Sequence, residues 1–359
     1  MAPSRFFRHS SSAKVVLLLA SAILALYCFR TSLKTAWGII RMPMVWNDRA
    51  SEFLISNEKD VFDVSFRNYP KEVDTALPGH ADLVPPILHH IALSKSSPRA
   101  NWLDARDSCL HYHPGWKSYL WTDDNATSFV VEHFPDFKQT WENYRFPIQK
   151  IDALRYMVLY QYGGVVLDMD LNCVRSLGPL RRFGFVAPAA HPSGFSVGFI
   201  MASRQNPFVG QLVKNLPVYN KNWLGLPYTT VMFSTGCHYA STIHTLQPNR
   251  TDLKILAGPE TNPNLHSLNG NVVTPLFHHL GSSSWHSYDG RLIVSLGKAE
   301  VQMHLLFGAI IFAFAAFLYR KSRRTECGDH LHKPVLLGYD WTVNRAISKG
   351  EHAHISEIV

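Results

Sequence analysis

No internal repeat, no low-complexity tract and no cysteine pair at zinc-type spacing occurs in this chain of 359 residues. A repeat array and a small zinc module are therefore set aside at the start. Nor is there a nucleic-acid-binding motif, although a net charge of +8 invites one. That charge is badly placed for the purpose. Residues 1–14 carry +3, and residues 320–359 carry seven basic against five acidic groups, so +5 sits in the tails. Charge so distributed is a topology signal with affinity for anionic lipid. Cysteine is scarce, with five in all. Cys28 and Cys327 lie in or just beyond apolar runs, where reversible acylation occurs. Cys109, Cys173 and Cys237 allow one disulfide and leave one thiol over, and sequence alone does not name the pair. The 19 histidines are scattered, and His89-His90, His111-x-His113 and His278-His279 read as ordinary polar contacts rather than metal ligands.

Charge is missing altogether from two stretches. Val15 to Phe29 is bracketed by Lys14 and Arg30, and Val301 to Tyr319 ends against Arg320-Lys321-Ser322-Arg323-Arg324. A membrane span needs about 20 residues, so the first run is short and relies on snorkelling of its flanking bases. A signal peptide cleaved at Ala20-Ser21-Ala22 would leave too short an apolar core. The expectation is a signal-anchor transmembrane helix at 15–33 and a C-terminal transmembrane helix at 301–319. Basic residues before the first and after the second place both termini in the cytosol and the chain between them in a lumen. Two sequons, Asn125-Ala126-Thr127 and Asn249-Arg250-Thr251, fall in that portion. A cytosolic tail over 1–14, a lumenal stem over 34–80, a catalytic domain over 81–300 and a cytosolic tail over 320–359 complete the organisation.

What the chain does contain is a buried-strand pattern opening into two carboxylates, Gly163-Gly164-Val165-Val166-Leu167-Asp168-Met169-Asp170. In an extended chain Asp168 and Asp170 share a face at the strand's carboxyl end, where α/β sheets bind ligands. Two hard oxygen donors suit Mg²⁺ or Mn²⁺. Before them, Pro147 to Tyr162 has helical spacing, with Asp152 and Arg155 on one more polar face and Gly163 placed to cap the end. Strands are expected at Ile87–Ile91, Ser118–Trp121, Phe183–Ala187 and Gly198–Ala202. Helices are expected from Asp123 or Asp124 through Val131, over 143–162 and over Pro207–Leu216. Such alternation makes an α/β sheet with helices on both faces.

The set Asp152, Arg155-Tyr156, Tyr162-Gly163-Gly164 and Asp168/Asp170 resembles the DXD sugar-binding region of glycosyltransferase family 32. Pro86-Ile87-Leu88-His89-His90 is similar to the family's opening strand, and Trp116 to Asp123 to its second strand and "WTD" corner. Gly281-Ser282-Ser283-Ser284-Trp285-His286 is similar to a closing motif of the sphingolipid mannosyltransferase branch. The likeness runs from about Pro85 to Trp285. Two stretches depart from the pattern. Val166 stands where many members carry an aromatic that stacks on the nucleotide, and Ser196-Val197-Gly198 replaces an Asn-Asp near the reacting sugar.

The resemblance implies a GT-A fold and a retaining, metal-dependent hexosyltransferase. Asp168 and Asp170, with His286, would hold Mn²⁺ (or Mg²⁺), while Arg155 contacts the diphosphate and Asp152 accepts from sugar or ribose hydroxyls. Ser283, Ser284 and Trp285 would close over the diphosphate. By the same resemblance the donor is GDP-mannose and the acceptor inositol phosphorylceramide, a membrane sphingolipid. A multi-pass regulatory subunit is the implied partner, and the Golgi membrane, with the ER as alternative, the implied location. The competing readings are an initiating-type α-1,6-mannosyltransferase acting on protein glycans, and a catalytically poor paralogue serving as a partner subunit.

Overall fold

The computed structural model describes residues 6–93, 97–223, 225–281, 289–290 and 307–319. It divides into two compact units, Met1–Ile293 and Val294–Val359. In the second, residues 307–319 form one helix.

The first unit begins with α1 (Phe6–Asp48) and two single turns, α2 (Ala50–Phe53) and α3 (Asn57–Asp60). There follow β1 (Ile87–Ile91), α4 (Ala100–Tyr112), β2 (Lys117–Trp121), α5 (Asp123–His133), α6 (Lys138–Glu142), α7 (Pro147–Tyr162), β3 (Gly164–Leu167) and β4 (Leu171–Cys173). Then come β5 (Phe185–Pro188), β6 (Phe199–Ala202), α8 (Pro207–Tyr219), α9 (Pro227–Ser234), α10 (Cys237–Thr245), β7 (Lys254–Leu256), β8 (Asn271–Val273) and β9 (Phe277–Leu280). Six strands form a sheet in the order β2-β1-β3-β6-β5-β7, and β4-β9-β8 form a smaller one. The result is the expected mixed α/β arrangement, consistent with a GT-A fold.

β6 alone runs against its neighbours in the large sheet, pairing antiparallel with both β3 and β5. The reason is the short link from Pro188 to Phe199. A parallel return needs a crossover of a dozen or more residues, usually a helix. This reversal sets the start of β6 beside the end of β3, with Leu167 opposite Phe199.

β3 is buried on both faces, so its four residues read as a continuous apolar run rather than an alternation. Val166 joins α7, α8 and α10 in one core, and Val165 and Leu167 join a second core with Phe62, Phe66 and Cys109. Val166 is wholly buried in that core. Thr122, rather than Asp123 or Asp124, caps α5, through a reciprocal bond with Asn125.

Two expectations are corrected. Among the described residues no helix is long and apolar enough to cross a membrane, so the transmembrane helices expected at 15–33 and 301–319 are not borne out. The uncharged run of α1 stops at Arg30, short of the ~20 residues required. The described helix over 307–319 rises only about 20 Å at ~1.5 Å per residue, against a hydrocarbon thickness of ~30 Å; residues 301–306 lie outside the described residues. The second concerns 34–80, which is not a free-standing stem. Phe53, Phe62 and Phe66 are fully buried, and the Ile55 N–H donates to the Ile255 carbonyl at 3.0 Å.

α1 is apolar on two opposite faces. Thr35, Ile39, Met42 and Trp46 are buried against the domain, where Trp46 meets Phe53 and His244 with ring centroids 4.8 and 5.0 Å apart. Leu33, Trp37, Ile40 and Met44 repeat the same i, i+4, i+7, i+11 spacing on the other side, each more than half exposed. Val15, Leu18, Ile23 and Phe29 continue the exposed apolar surface toward the N-terminus.

Cys109 and Cys173 form the disulfide, joining α4 to β4 across a separation of 64 residues. Closing a loop of that length stabilises the fold by about 4 kcal/mol in the chain-entropy account. Of Cys109, Cys173 and Cys237, the last is the thiol left over.

Candidate active site

α7 begins at Pro147, whose missing N–H costs nothing in the first turn. From Asp152 to Leu159 it is buried all round, so the polar face expected for Asp152 and Arg155 is not a solvent face. Asp152 is 3% exposed and Arg155 6%. Buried charges persist only when paired, and these are. Arg155 Nη1 donates to Asp152 Oδ1 at 2.6 Å, and Nη2 donates to Asp168 Oδ1. Thr235 Oγ1, at the end of α9, donates to Asp152 Oδ2 at 2.9 Å. The guanidinium thus ties the helix to the first carboxylate of the Asp-x-Asp pair.

Reaching β3 from α7 takes the Gly163-Gly164 turn. Both residues have positive φ, and a Cβ on either would meet backbone at 2.6 Å, the Arg204 nitrogen or the Ile87 oxygen. At the other end of β3 the chain does not stay extended. The Leu171 N–H donates to the Asp168 carbonyl at 3.1 Å, closing a turn through Met169 and Asp170. Met169 is buried beneath it. The two carboxylates are therefore brought together by a turn rather than by strand alternation.

The reversed β6 supplies the floor. The Asp168 N–H donates to the Gly198 carbonyl at 2.8 Å, and Ser196 Oγ accepts from the Gly198 N–H at 3.2 Å. A Cβ at position 198 would stand 2.8 Å from Asp168 Oδ2. The second departure from the family pattern thus lies directly against the first carboxylate. Asp168 keeps 31% of its side-chain surface open, whereas Asp170 keeps 13%.

On the far side β9 pairs antiparallel with β4, Leu171 opposite His279, and the Leu280 N–H donates to the Asp170 carbonyl at 2.9 Å. His279 Nε2 lies 3.3 Å from Asp170 Oδ2. Burial pushes the Asp168 carboxyl up to about 6, opposed by Arg155 and reinforced by the charges of Asp170 and Asp152. Burial works against a charged His279, but its bond to Asp170 and the charges of Asp170 and Asp168 outweigh it and raise its pKa. Arg155 is raised for the same kind of reason, burial being outweighed by Asp168 and Asp152.

Among the described residues no three His, Cys, Asp or Glu side chains converge as a closed metal cage. A cation that escorts phosphates does not need one. Such ions use one or two carboxylates and fill the remaining positions with water and substrate oxygens. Asp168 and Asp170, with Gly198 leaving the space beside Oδ2 clear, fit that role. Ser283, Ser284, Trp285 and His286 lie outside the described residues. Two cavities, of about 370 Å³ beside Asn262 and Asn264 and about 430 Å³ beside Trp121 and Tyr162, include none of the site residues in their walls.

Thr235 carries no signal in the sequence; Gly198 is named there only within the Ser196-Val197-Gly198 departure, and His279 only as an ordinary polar contact. Gly198 and His279 carried weak signals: a glycine immediately before a strand, and a histidine a few residues ahead of Gly281-Ser282-Ser283-Ser284-Trp285. Neither signal says what lies opposite.

The family described as "Glycosyltransferase sugar-binding region containing DXD motif" matches residues 99–184. Inositol phosphoceramide mannosyltransferase 1 of Schizosaccharomyces pombe is 32% identical over 254 residues, covering 67% of this chain and 74% of that protein. Mannosyl phosphorylinositol ceramide synthase SUR1 of Saccharomyces cerevisiae is 33% identical over 264 residues, covering 70% of this chain and 66% of that protein. Inositol phosphoceramide mannosyltransferase 3 of S. pombe is 30% identical over 240 residues, covering 66% and 62%.

Proposed function

This chain belongs to the family of glycosyltransferases with a DXD sugar-binding region, and we propose that it transfers mannose from GDP-mannose to inositol phosphorylceramide. The observation that carries the reading is the buried chain Thr235–Asp152–Arg155–Asp168, which delivers one carboxylate of the Asp168/Asp170 turn to a partly open surface. A surface ion pair would not be built this way. Burying a guanidinium between two carboxylates carries a desolvation cost that only close pairing offsets, and that pairing holds Asp168 in one position. The similar proteins of S. pombe and S. cerevisiae, an inositol phosphoceramide mannosyltransferase and a mannosyl phosphorylinositol ceramide synthase, support the sugar and the acceptor.

Asp168 and Asp170 hold the divalent cation, which when bound neutralises charge on the departing diphosphate as a Lewis acid. Arg155 fixes the Asp168 rotamer by a charge-assisted bond. Asp152, enclosed by Arg155 and Thr235, orients that guanidinium. Gly198 keeps the space at Oδ2 clear. Retention at the anomeric carbon, and closure by Ser283, Ser284 and Trp285 to exclude water, are carried from the resemblance.

The acceptor is a membrane lipid, and α1 supports a site held at a bilayer. Its stripe Leu33, Trp37, Ile40 and Met44 faces away from the domain, with an exposed indole suited to the headgroup region. The Cys109–Cys173 disulfide supports an oxidising lumen such as that of the Golgi; protection of the domain from protease in sealed vesicles checks that placement. The deciding experiment measures Mn²⁺-dependent turnover of GDP-mannose and of UDP-glucose by the full chain, with and without inositol phosphorylceramide. GDP-mannose turnover stimulated by the lipid and abolished in Asp170→Ala is the expected result. Turnover indifferent to the lipid would move the acceptor to protein glycans, and none with either donor would defeat the reading.

A further inference from the structure

Each carboxylate of the pair is gripped by a different element. Arg155 of α7 holds Asp168, and on the opposite side of the turn His279 of β9 meets Asp170 at 3.3 Å. The second contact is fixed by backbone rather than by a flexible side chain. β4 begins one residue after Asp170, its Leu171 pairs with His279, and the neighbouring Leu280 N–H bonds the Asp170 carbonyl itself at 2.9 Å. Both side chains are enclosed, at 14% and 13% exposure. An ionised carboxylate only accepts hydrogen bonds, so the imidazole Nε2 is the donor. Strand alternation turns the adjacent His278 the other way, where Nε2 lies 3.4 Å from Asn271 Oδ1.

We propose that His279 is a positioning residue for the cation site, its Nε2–H holding the Asp170 carboxylate in one rotamer for the divalent ion that accompanies the donor's diphosphate. It rests on the reading of Asp168 and Asp170 as cation ligands. His279 acts through Asp170; the described residues supply no third ligating group. A carboxylate ligand left without its outer partner swings between rotamers, and loss of such partners weakens metal binding by about 10–100-fold.

The test is direct Mn²⁺ titration of the full chain, followed by loss of the free-ion paramagnetic resonance signal, with no donor or acceptor present. His279→Ala is expected to weaken Mn²⁺ binding by about 10–100-fold while still melting cooperatively, at a midpoint lowered by the loss of the buried contact. His279→Gln, which keeps an N–H donor on a side chain of similar reach, is expected to restore most of the affinity. His278→Ala should bind as the native protein does. Native affinity in His279→Ala overturns the proposal, and so does a His279→Gln variant that folds but binds as weakly as the alanine. Stronger binding in His279→Ala also overturns it, because the imidazole would then be competing with the ion. If the unaltered protein binds no Mn²⁺ while folded, the cation-site reading itself fails and this proposal falls with it.

Discussion

Replacing Gly198 by alanine adds one methyl group and tests whether the rotamer of Asp168 carries the chemistry. The new Cβ would stand 2.8 Å from Asp168 Oδ2, against 3.4 Å for ordinary contact, so the carboxylate must retreat by about 0.6 Å (3.4 less 2.8). Gly198 is not among the residues with positive φ, so alanine fits the backbone and removes unfolded-state freedom worth about 0.4–1 kcal/mol. A carboxylate pushed off its rotamer costs about 0.5–1.5 kcal/mol. The two nearly cancel, and the thermal midpoint should move by no more than a few degrees. Function should not cancel. Displacements near 1 Å in a positioned group cost about 10²-fold in rate, so Gly198→Ala should lose about 10–100-fold in kcat/KM for GDP-mannose. The assay is donor turnover in saturating Mn²⁺ alongside a thermal melt. A variant with native kcat/KM refutes the reasoning, because the Asp168 carboxylate would then be free to move without consequence.

Removing the cation between the two carboxylates should be structural as well as functional: Arg155→Ala strands Asp152 and Asp168 and is expected to cost about 3–5 kcal/mol in urea unfolding, and a loss under 1 kcal/mol would show the pair to be solvated. Arg155→Lys should recover only part, since a point charge does not bridge two carboxylates at once. Asp168 sets a pH dependence of known sign. Its folded pKa, about 6, lies above the unfolded 3.8, so this group adds stability to the metal-free protein as pH falls through that window and withdraws it as pH rises. Mn²⁺ affinity runs the other way, because the ligand must be ionised; it should drop roughly tenfold per pH unit below about 6, and an affinity flat to pH 5 would contradict the assignment. Replacing Trp37 and Ile40 together by serine should release the protein from liposomes in a flotation assay without changing its melting, and unchanged flotation would remove α1's outer stripe from the account of lipid access.

Much of the scaffold was written locally. Val165 to Leu167 forms a strand because a β-branched run follows a Gly-Gly turn, and α7 starts at Pro147 and is capped by Gly163 for reasons contained within a few residues. The family motifs, too, are short strings. Partnerships between distant residues were not legible. Periodicity placed Asp152 and Arg155 on a polar face, yet their burial depends on α9, some 80 residues later, bringing Thr235 to Asp152. The Asp-x-Asp pair was visible, but an extended reading missed the turn that Met169 anchors in the core.

What the sequence by itself determined was the order of elements, the Asp168/Asp170 pair and the family to which both belong, because propensity, capping and motif spacing act over a few residues. Tertiary structure alone decided that Cys109 pairs with Cys173, that Gly198 lies against Asp168 and that His279 reaches Asp170. It also decided that α1 has an inner face buried on the domain and an outer one left exposed. The meetings of Gly198 with Asp168 and of His279 with Asp170 depend on sheet register and on the reversed direction of β6, which bring residues about 30 and 110 positions apart into contact. No local preference encodes such a meeting; it exists only once the two sheets have formed.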